Sequence, residues 1–258
     1  MKKRLLSAVF PLGSVCLLVL VYYIVSIGFD SELIVPSIPN VAKSLGYIVR
    51  EDGFVNDIFG TLARAIYSYV FAFVTAFAFA LFASISRIVE KTFYPVTVIA
   101  RAIPTMSVVL LCVLWLKADK LPIAVSFIVM FPMLYASILG VLSSRDKQMT
   151  EMIKVYRVPK SKAFFRYYFP DTVIRLFPQL VSTLSFNVKL TISGEALAYT
   201  PNSIGNELKV ANINIETAEI MAWTVVAILL SFVVELLLYG IFHGIKRIRY
   251  EYRIRKFK

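Results

Sequence analysis

The sequence predicts an all-α integral membrane protein with six transmembrane helices and both termini in the cytoplasm. Three observations support this fold class. The chain of 258 residues is 59% hydrophobic, which is more apolar surface than a soluble domain of this size needs. Its apolar residues fall into six runs, each long enough for a helix across a bilayer core of about 30 Å. Its basic residues collect in alternate loops between those runs, as the positive-inside rule requires of cytoplasmic loops.

Each apolar run is predicted to be a helix, because backbone groups in lipid need hydrogen-bond partners within their own segment. A barrel would show short alternating segments instead. The predicted spans are 7–28, 62–85, 94–116, 121–143, 172–193 and 219–243. The first is interpreted as a retained span, because it is long for a signal peptide and shows no evident cleavage site. Residues 1–258 are predicted to form a single transmembrane domain.

The charges of the loops predict the orientation. The net charge is +12, and its basic residues concentrate in the loop 144–171 and the tail 246–258. The loops 29–61 and 194–218 are acidic and are therefore predicted to lie outside. Within the first of these, the apolar spacing of residues 34–57 predicts a short amphipathic helix on the surface, with a cap on the bundle as the structural alternative.

Several function classes are disfavoured by missing chemistry. The chain lacks the phosphate-binding pattern G-x-x-x-x-G-K-[ST], so we expect no ATP site and no ATPase activity in it. His243 is the only histidine, which argues against a serine protease within the membrane. Cys16 and Cys112 lie inside apolar runs without ligand spacing, so neither a disulfide nor a metal site is expected.

The stretch EMIKVYRVPKSKAFFRYYFP, residues 151–170, is rich in aromatic and basic side chains. A loop that only joins two helices has no need of exposed Phe and Tyr. Thr150 with Glu151 can start a helix, with the acid favourable at its positive end. Pro159 fixes its own φ and disfavours α geometry at Val158, so a bend is predicted there. Ser161 is predicted to cap a short second helix that carries the aromatic pair.

This stretch resembles the cytoplasmic signature of binding-protein-dependent ABC importer permeases. That signature runs Glu-Ala-Ala, three residues, Gly, nine residues, Ile-x-Leu-Pro. Glu151 stands at the Glu, Arg157 at the Gly and Pro170 at the Pro, with every spacing kept. Met152 and Ile153 replace the two Ala, and Arg157 replaces the Gly.

Further stretches are similar to permeases of the taurine, nitrate and sulfonate type. They are VPSIPNV at 35–41, TLARAIYSY at 61–69, YPVTVIARAIPTMSVVLL at 94–111 and KLTISGEALAYTPNSIGNELKVANINIETAEIMAWTVV at 189–226. Fewer glycines in the second span set this chain apart from the family pattern.

The resemblance implies the type I ABC importer permease fold in a bacterial cytoplasmic membrane. A second permease copy, expected to be identical, would complete a gated pathway. Two separate ATPase subunits would bind ATP and Mg, and an extracytoplasmic binding protein would deliver the solute. The residues expected to couple to the ATPase are Glu151, Arg157, Val158, Pro159, Ser161, Ala163, Phe164, Phe165 and Pro170. Tyr167 and Tyr168 fit an interfacial belt or the bundle core at least as well.

Ionisable residues at membrane depth are functional candidates because burying charge in lipid is expensive. The translocation-pathway candidates are Arg101, Asn187, Lys189 and Glu195. Lys189 would meet an anionic or zwitterionic cargo, such as a sulfonate, taurine, nitrate or a thiamine precursor, or would pair with Glu195 of the other copy. Arg64 is interpreted as snorkelling to the outer interface. Glu235 would pair with a basic group or reach the inner interface.

Two alternative functions remain at this point. One is the permease of an exporter, and the other is a membrane assembly subunit that transports nothing. The spacing of the 151–170 stretch disfavours an exporter, whereas co-purification of an ATPase would be needed to decide against an assembly subunit.

Overall fold

The computed structural model describes residues 2–29, 31–144 and 147–255, with side chains described between 13 and 244 except at a few positions. All regular elements in these residues are helical. They are α1 Lys2–Phe29, α2 Ile38–Ile48, α3 Phe54–Ile85, α4 Arg87–Ala102, α5 Thr105–Trp115, α6 Leu121–Ser143, α7 Lys147–Val155, α8 Lys160–Ala163, α9 Phe169–Ala198, α10 Ile204–Ile213 and α11 Thr217–Arg255. A π-helical turn, Phe164–Tyr168, joins α8 to α9.

Three described helices are long and apolar enough to cross a membrane. They are α3, α6 and the part of α11 from Thr217 to Gly244, and the bent pair α4 and α5 would add a fourth as a broken span or a re-entrant loop. Helices α1 and α9 cover the first and fifth predicted spans. The all-helical prediction is confirmed for the described residues, whereas the count of six spans stays a prediction.

The third predicted span, 94–116, is not one straight helix. Helix α4 ends at Ala102, α5 begins at Thr105, and their axes differ by 91°. Pro104 explains the break: it has no backbone N–H to donate, and it disfavours α geometry at Ile103. Ile103 indeed adopts an extended conformation.

The core of the bundle is the contact between α3 and α6. Helix α3 presents a row of fully buried alanines, Ala72, Ala76 and Ala80. Against it lie the larger side chains of α6, among them Leu134 and Ile138. Small residues every fourth position let two helices approach closely, which is how helices associate where lipid leaves no hydrophobic driving force. This packing holds two of the three long apolar helices together.

The helix predicted within residues 34–57 is present as α2. It packs against α11, and Ile48 at its last turn is buried beside Trp223 in a small apolar cluster. Most of its other side chains stay partly or fully exposed. The amphipathic prediction is therefore confirmed, and α2 also caps this end of the bundle.

Two groups of candidate side chains lie near the two opposite ends of α9. The last turn of α9 lies beside the first turns of α3 and the start of α10, which we call the α10 end. The first turn of α9 follows α7 and α8, which we call the loop end. The 30 residues of α9 separate these ends by about 45 Å, the length of such a helix.

Candidate functional site

Arg157 forms the bend between α7 and α8. Its φ is +48°, in the left-handed region that favours glycine. The N–H of Val158 donates to the carbonyl of Ile153 at 3.1 Å, which is the six-to-one bond of a Schellman helix end. In that motif glycine is the usual residue at the left-handed position. The structure thus shows why the signature has glycine here, and it places Arg157 in the same conformation.

The loop end carries an exposed aromatic surface. Phe164 and Phe165 are 50% and 68% exposed, and their rings meet edge to face with centroids 5.2 Å apart. Ala163, just before them, is buried. The turn that holds the two rings is π-helical, a local irregularity that is frequent at functional sites. Glu151, Val158, Pro159 and Ser161 are exposed around it, and Pro170 and the two tyrosines before Phe169 are half-buried.

Two local predictions for this segment are wrong. Helix α7 begins at Lys147, so Thr150 and Glu151 lie within its second turn and do not start it. Ser161 lies inside α8 and does not cap it. The first bond of α8 instead runs from the N–H of Ala163 to the carbonyl of Pro159, so Pro159 both ends the bend and begins the next helix.

At the α10 end, Glu195 is the centre of a buried polar cluster that we call the polar junction. The Thr61 hydroxyl donates to Glu195 Oε2 at 2.8 Å, and Arg64 Nη1 donates to Glu195 Oε1 at 3.0 Å. The Ile204 N–H donates in turn to the Thr61 hydroxyl. Arg64 also donates to the carbonyls of Pro201 and Asn202. One carboxylate therefore ties α3, the end of α9 and the start of α10 together.

The polar junction corrects two predictions. Arg64 does not snorkel to an interface, because its guanidinium is bonded to Glu195 and to two backbone carbonyls. Glu195 is fully buried, so it is not exposed to pair with Lys189 of another copy. Asn187 is also fully buried and donates to the Ala65 carbonyl. In this conformation neither Asn187 nor Glu195 lines an exposed surface.

Glycines allow the close approach at the polar junction. A Cβ added at Gly205 would lie 2.6 Å from the Ala196 nitrogen and equally close to Glu195, and one added at Gly60 would overlap the Asn202 carbonyl. Only a residue without a side chain fits either place. The start of α10 therefore packs closely against α9, and the connection before it packs closely against α3.

Lys189 lies on a row of exposed residues along the C-terminal half of α9, which we call the α9 stripe. Its members are Ser182, Phe186, Lys189 and Ser193. Their spacing of four, three and four residues puts them on one helix face. No described residue pairs with the Lys189 ammonium. Three polar side chains out of four are unsuited to face lipid, so this face meets water or another protein surface.

The remaining charged candidates lie elsewhere. Arg101 is exposed and lines a groove between α4 and α6, where its Nε donates to the Thr97 carbonyl. Glu235 accepts a bond from the Ser185 hydroxyl at 3.4 Å, so the basic partner anticipated for it is replaced by a serine on α9. His243 contacts the Tyr239 carbonyl. No group of described His, Cys, Asp and Glu side chains is arranged to hold a metal ion.

Residues 69–247 match the family described as the binding-protein-dependent transport system inner membrane component. The chain belongs to this family. The match covers more than half of the 258 residues. No curated protein matches the whole sequence closely enough to count as a relative.

Membership in this transport family accounts for much of the geometry. The protein is a multi-pass membrane permease component, and such components work with a substrate-binding protein and ATPase subunits. The matched residues contain the 151–170 loop, the α9 stripe and Glu195, whereas Thr61 and Arg64 precede them. Sequence reasoning missed the pairing of Arg64 with Glu195. The signal that could have indicated it is that Arg64 and Glu195 carry opposite charges at the same predicted end of the second and fifth spans.

Proposed function

We propose that this chain is the permease subunit of an ATP-driven importer of the taurine, nitrate and sulfonate type, acting as a homodimer in a bacterial cytoplasmic membrane. Two ATPase subunits dock at the loop end, and an extracytoplasmic binding protein docks at the α10 end. ATP and Mg are bound by the ATPase subunits, so this chain is not itself an enzyme. The chain crosses the membrane six times, with both termini in the cytoplasm.

The exposed phenylalanine pair at the loop end is the observation that carries this proposal. Two large aromatic side chains stand out of a short helix that follows a sharp left-handed bend. Aromatic anchors that enter a partner's pocket often contribute about 2 kcal/mol or more each to binding. The surrounding Lys162 and Arg166 are exposed and supply a polar rim. The surface is therefore suited to a cleft on the ATPase.

A pull-down of tagged protein in detergent tests the docking. The double variant Phe164→Asp with Phe165→Asp is expected to lose the ATPase subunit that the wild type recovers, while gel filtration shows an unchanged peak. Phe59→Asp is the matched control, because Phe59 is 65% exposed at the α10 end, and it should recover the ATPase normally. Equal recovery by all three proteins would disprove the docking role of the pair.

We further propose that the α9 stripe lines the translocation pathway and that Lys189 selects an anionic or zwitterionic solute. The support is the unpaired ammonium among polar side chains on a membrane helix. Cysteines at Ser182 and Ser193 should react with a water-soluble thiol reagent in a background without Cys16 and Cys112. A cysteine at the buried Thr183 should not react. Equal labelling of all three, or of none, would contradict this placement.

A further inference from the structure

The groove between α4 and α6 combines features that the proposed transport function does not use. It is lined by Glu90, Tyr94, Thr97 and Arg101 of α4 and, from α6, by Tyr135 and Gly140 among others, and it encloses about 260 Å³. The four α4 residues recur every three or four positions, so they share one face of that helix. The groove thus holds one carboxylate and one guanidinium over an apolar floor.

Neither charge in the groove is neutralised by a described residue. Arg101 and Glu90 form no ion pair with each other or with any other described side chain. The Arg101 Nε donates to the Thr97 carbonyl at 3.3 Å, four residues earlier, so its side chain folds back along α4 toward Glu90. Its two terminal nitrogens form no hydrogen bond with a described residue.

A second, independent feature indicates a ligand. Tyr135 is 2% exposed, and its hydroxyl is buried with no hydrogen-bond partner among the described residues. An orphaned buried hydroxyl costs about 1–3 kcal/mol, so native structures usually supply a partner. A ligand group in the groove that donates to or accepts from this hydroxyl would remove that cost.

Open space over Gly140 completes the site. A Cβ added at Gly140 would meet nothing within 4 Å, so this glycine is not required by packing. The exposed apolar side chains Ile88 and Ile99 lie on the opposite face of α4, so this helix has surface suited to lipid chains on the side away from the groove.

We propose that this groove binds a zwitterionic group, with a protonated primary amine against Glu90 and Tyr135 and an anionic phosphate or sulfonate against Arg101. Such a group could belong to the ethanolamine headgroup of a membrane phospholipid or to a free amino acid analogue such as taurine. A primary amine can donate to a carboxylate and a phenol hydroxyl, whereas a quaternary amine cannot. The lipid form of this inference needs only the groove, whereas the taurine form rests on the proposed substrate class.

Thermal unfolding of the purified protein in a neutral detergent tests the proposal. One arm adds phosphatidylethanolamine, phosphatidylcholine or phosphatidylglycerol at equal concentration, and a second arm adds taurine. We expect phosphatidylethanolamine to raise the unfolding midpoint more than the other two lipids do, or taurine to raise it. A lipid response alone assigns the groove to the membrane, and a taurine response assigns it to a soluble solute.

Variants separate the groove from general effects. Arg101→Gln and Glu90→Gln should each abolish the additional rise in the unfolding midpoint. With Glu90→Gln, phosphatidylethanolamine should raise the midpoint no more than phosphatidylglycerol does. Gly140→Leu should abolish the additional rise while leaving both charges in place. Lys91→Gln is the control, because Lys91 is exposed on the same helix, does not line the groove and lies off the row of groove residues, and it should keep the additional rise. No preference in either arm, or a preference that survives all three groove variants, would overturn the proposal.

Discussion

At the scale of single residues, two arginines have roles set by their backbone surroundings. Arg64 is bonded to a buried carboxylate and two carbonyls, so its charge is compensated inside the bundle. Arg157 is exposed, and its importance lies in its backbone, which adopts a conformation that most residues avoid. The same residue type therefore stabilises one end of the molecule and shapes the other.

Arg64→Ala should destabilise the fold by about 3 kcal/mol, because it leaves Glu195 buried without its cation. This is the lower end for buried pairs, since the Arg64 side chain is 19% exposed. Adding Glu195→Gln should recover part of the loss, because the unpaired charge is then gone. Thermal unfolding in detergent measures both.

The control for this pair is Arg175→Ala, which removes a one-third exposed ion pair with Asp171 together with a hydrogen bond to the Ser144 carbonyl. Exposed pairs contribute about 1 kcal/mol or less. A cost at Arg64 no larger than that at Arg175 would contradict a structural role for the polar junction.

Arg157→Gly should stabilise the protein by about 1 kcal/mol, because glycine adopts the left-handed conformation without the strain of a side chain. Recovery of the ATPase in a pull-down should be unchanged or improved. Arg166→Gly removes an equally exposed arginine from the π-helical turn and should destabilise. If both substitutions destabilise alike, the bend does not depend on the left-handed residue.

At the scale of elements, the sequence predicted the positions of the helices better than the bends and contacts between them. Hydropathy located the long helices because lipid-facing surface must be apolar along its whole length. It could not reveal the 91° bend at Pro104, since the apolar run continues through it. The pairing of Arg64 with Glu195 joins residues 131 positions apart, and no local pattern encodes such a contact.

For the candidate site residues too, local features were predicted better than features that depend on packing between helices. The 151–170 signature and Pro159 located the bend within residues 157–159, because a bend is a local property, but the bend was predicted at Val158, whereas the left-handed residue is Arg157. The signature did not locate the start of α7 or the cap of α8, which depend on neighbouring carbonyls. Exposure of Lys189 and burial of Asn187 follow from which face of α9 meets α3, and a single sequence does not supply that information.

Gly205→Ala should separate α10 from α9, because the added methyl would overlap backbone atoms that cannot rotate away. The expected result is a loss of about 3 kcal/mol in stability, the upper end of what forced overpacking with backbone shifts typically costs. Gly46→Ala, in α2 with nothing within 4 Å, should instead be neutral or stabilising by up to about 1 kcal/mol. Unfolding midpoints that do not separate these two variants would contradict the tight packing.

At the scale of the whole molecule, the two ends of α9 differ in structure. The α10 end is fixed by buried charge, hydrogen bonds and glycine contacts, and so it would move as a unit with α3. The loop end exposes aromatic side chains on a short helix behind a left-handed bend. Between them, the α9 stripe gives a largely polar exposed face to the C-terminal half of α9. This division is consistent with the permease role that we propose, in which the ATPase acts at the loop end.

The central claim, that the loop end docks an ATPase, is tested most directly by photo-crosslinking in native membranes. A photoreactive phenylalanine analogue is placed at position 165 and, as a control, at position 59. We predict a covalent adduct with an ATPase subunit from position 165 and none from position 59. An adduct of the 165 variant with lipid alone, in membranes that contain the ATPase, would contradict the account.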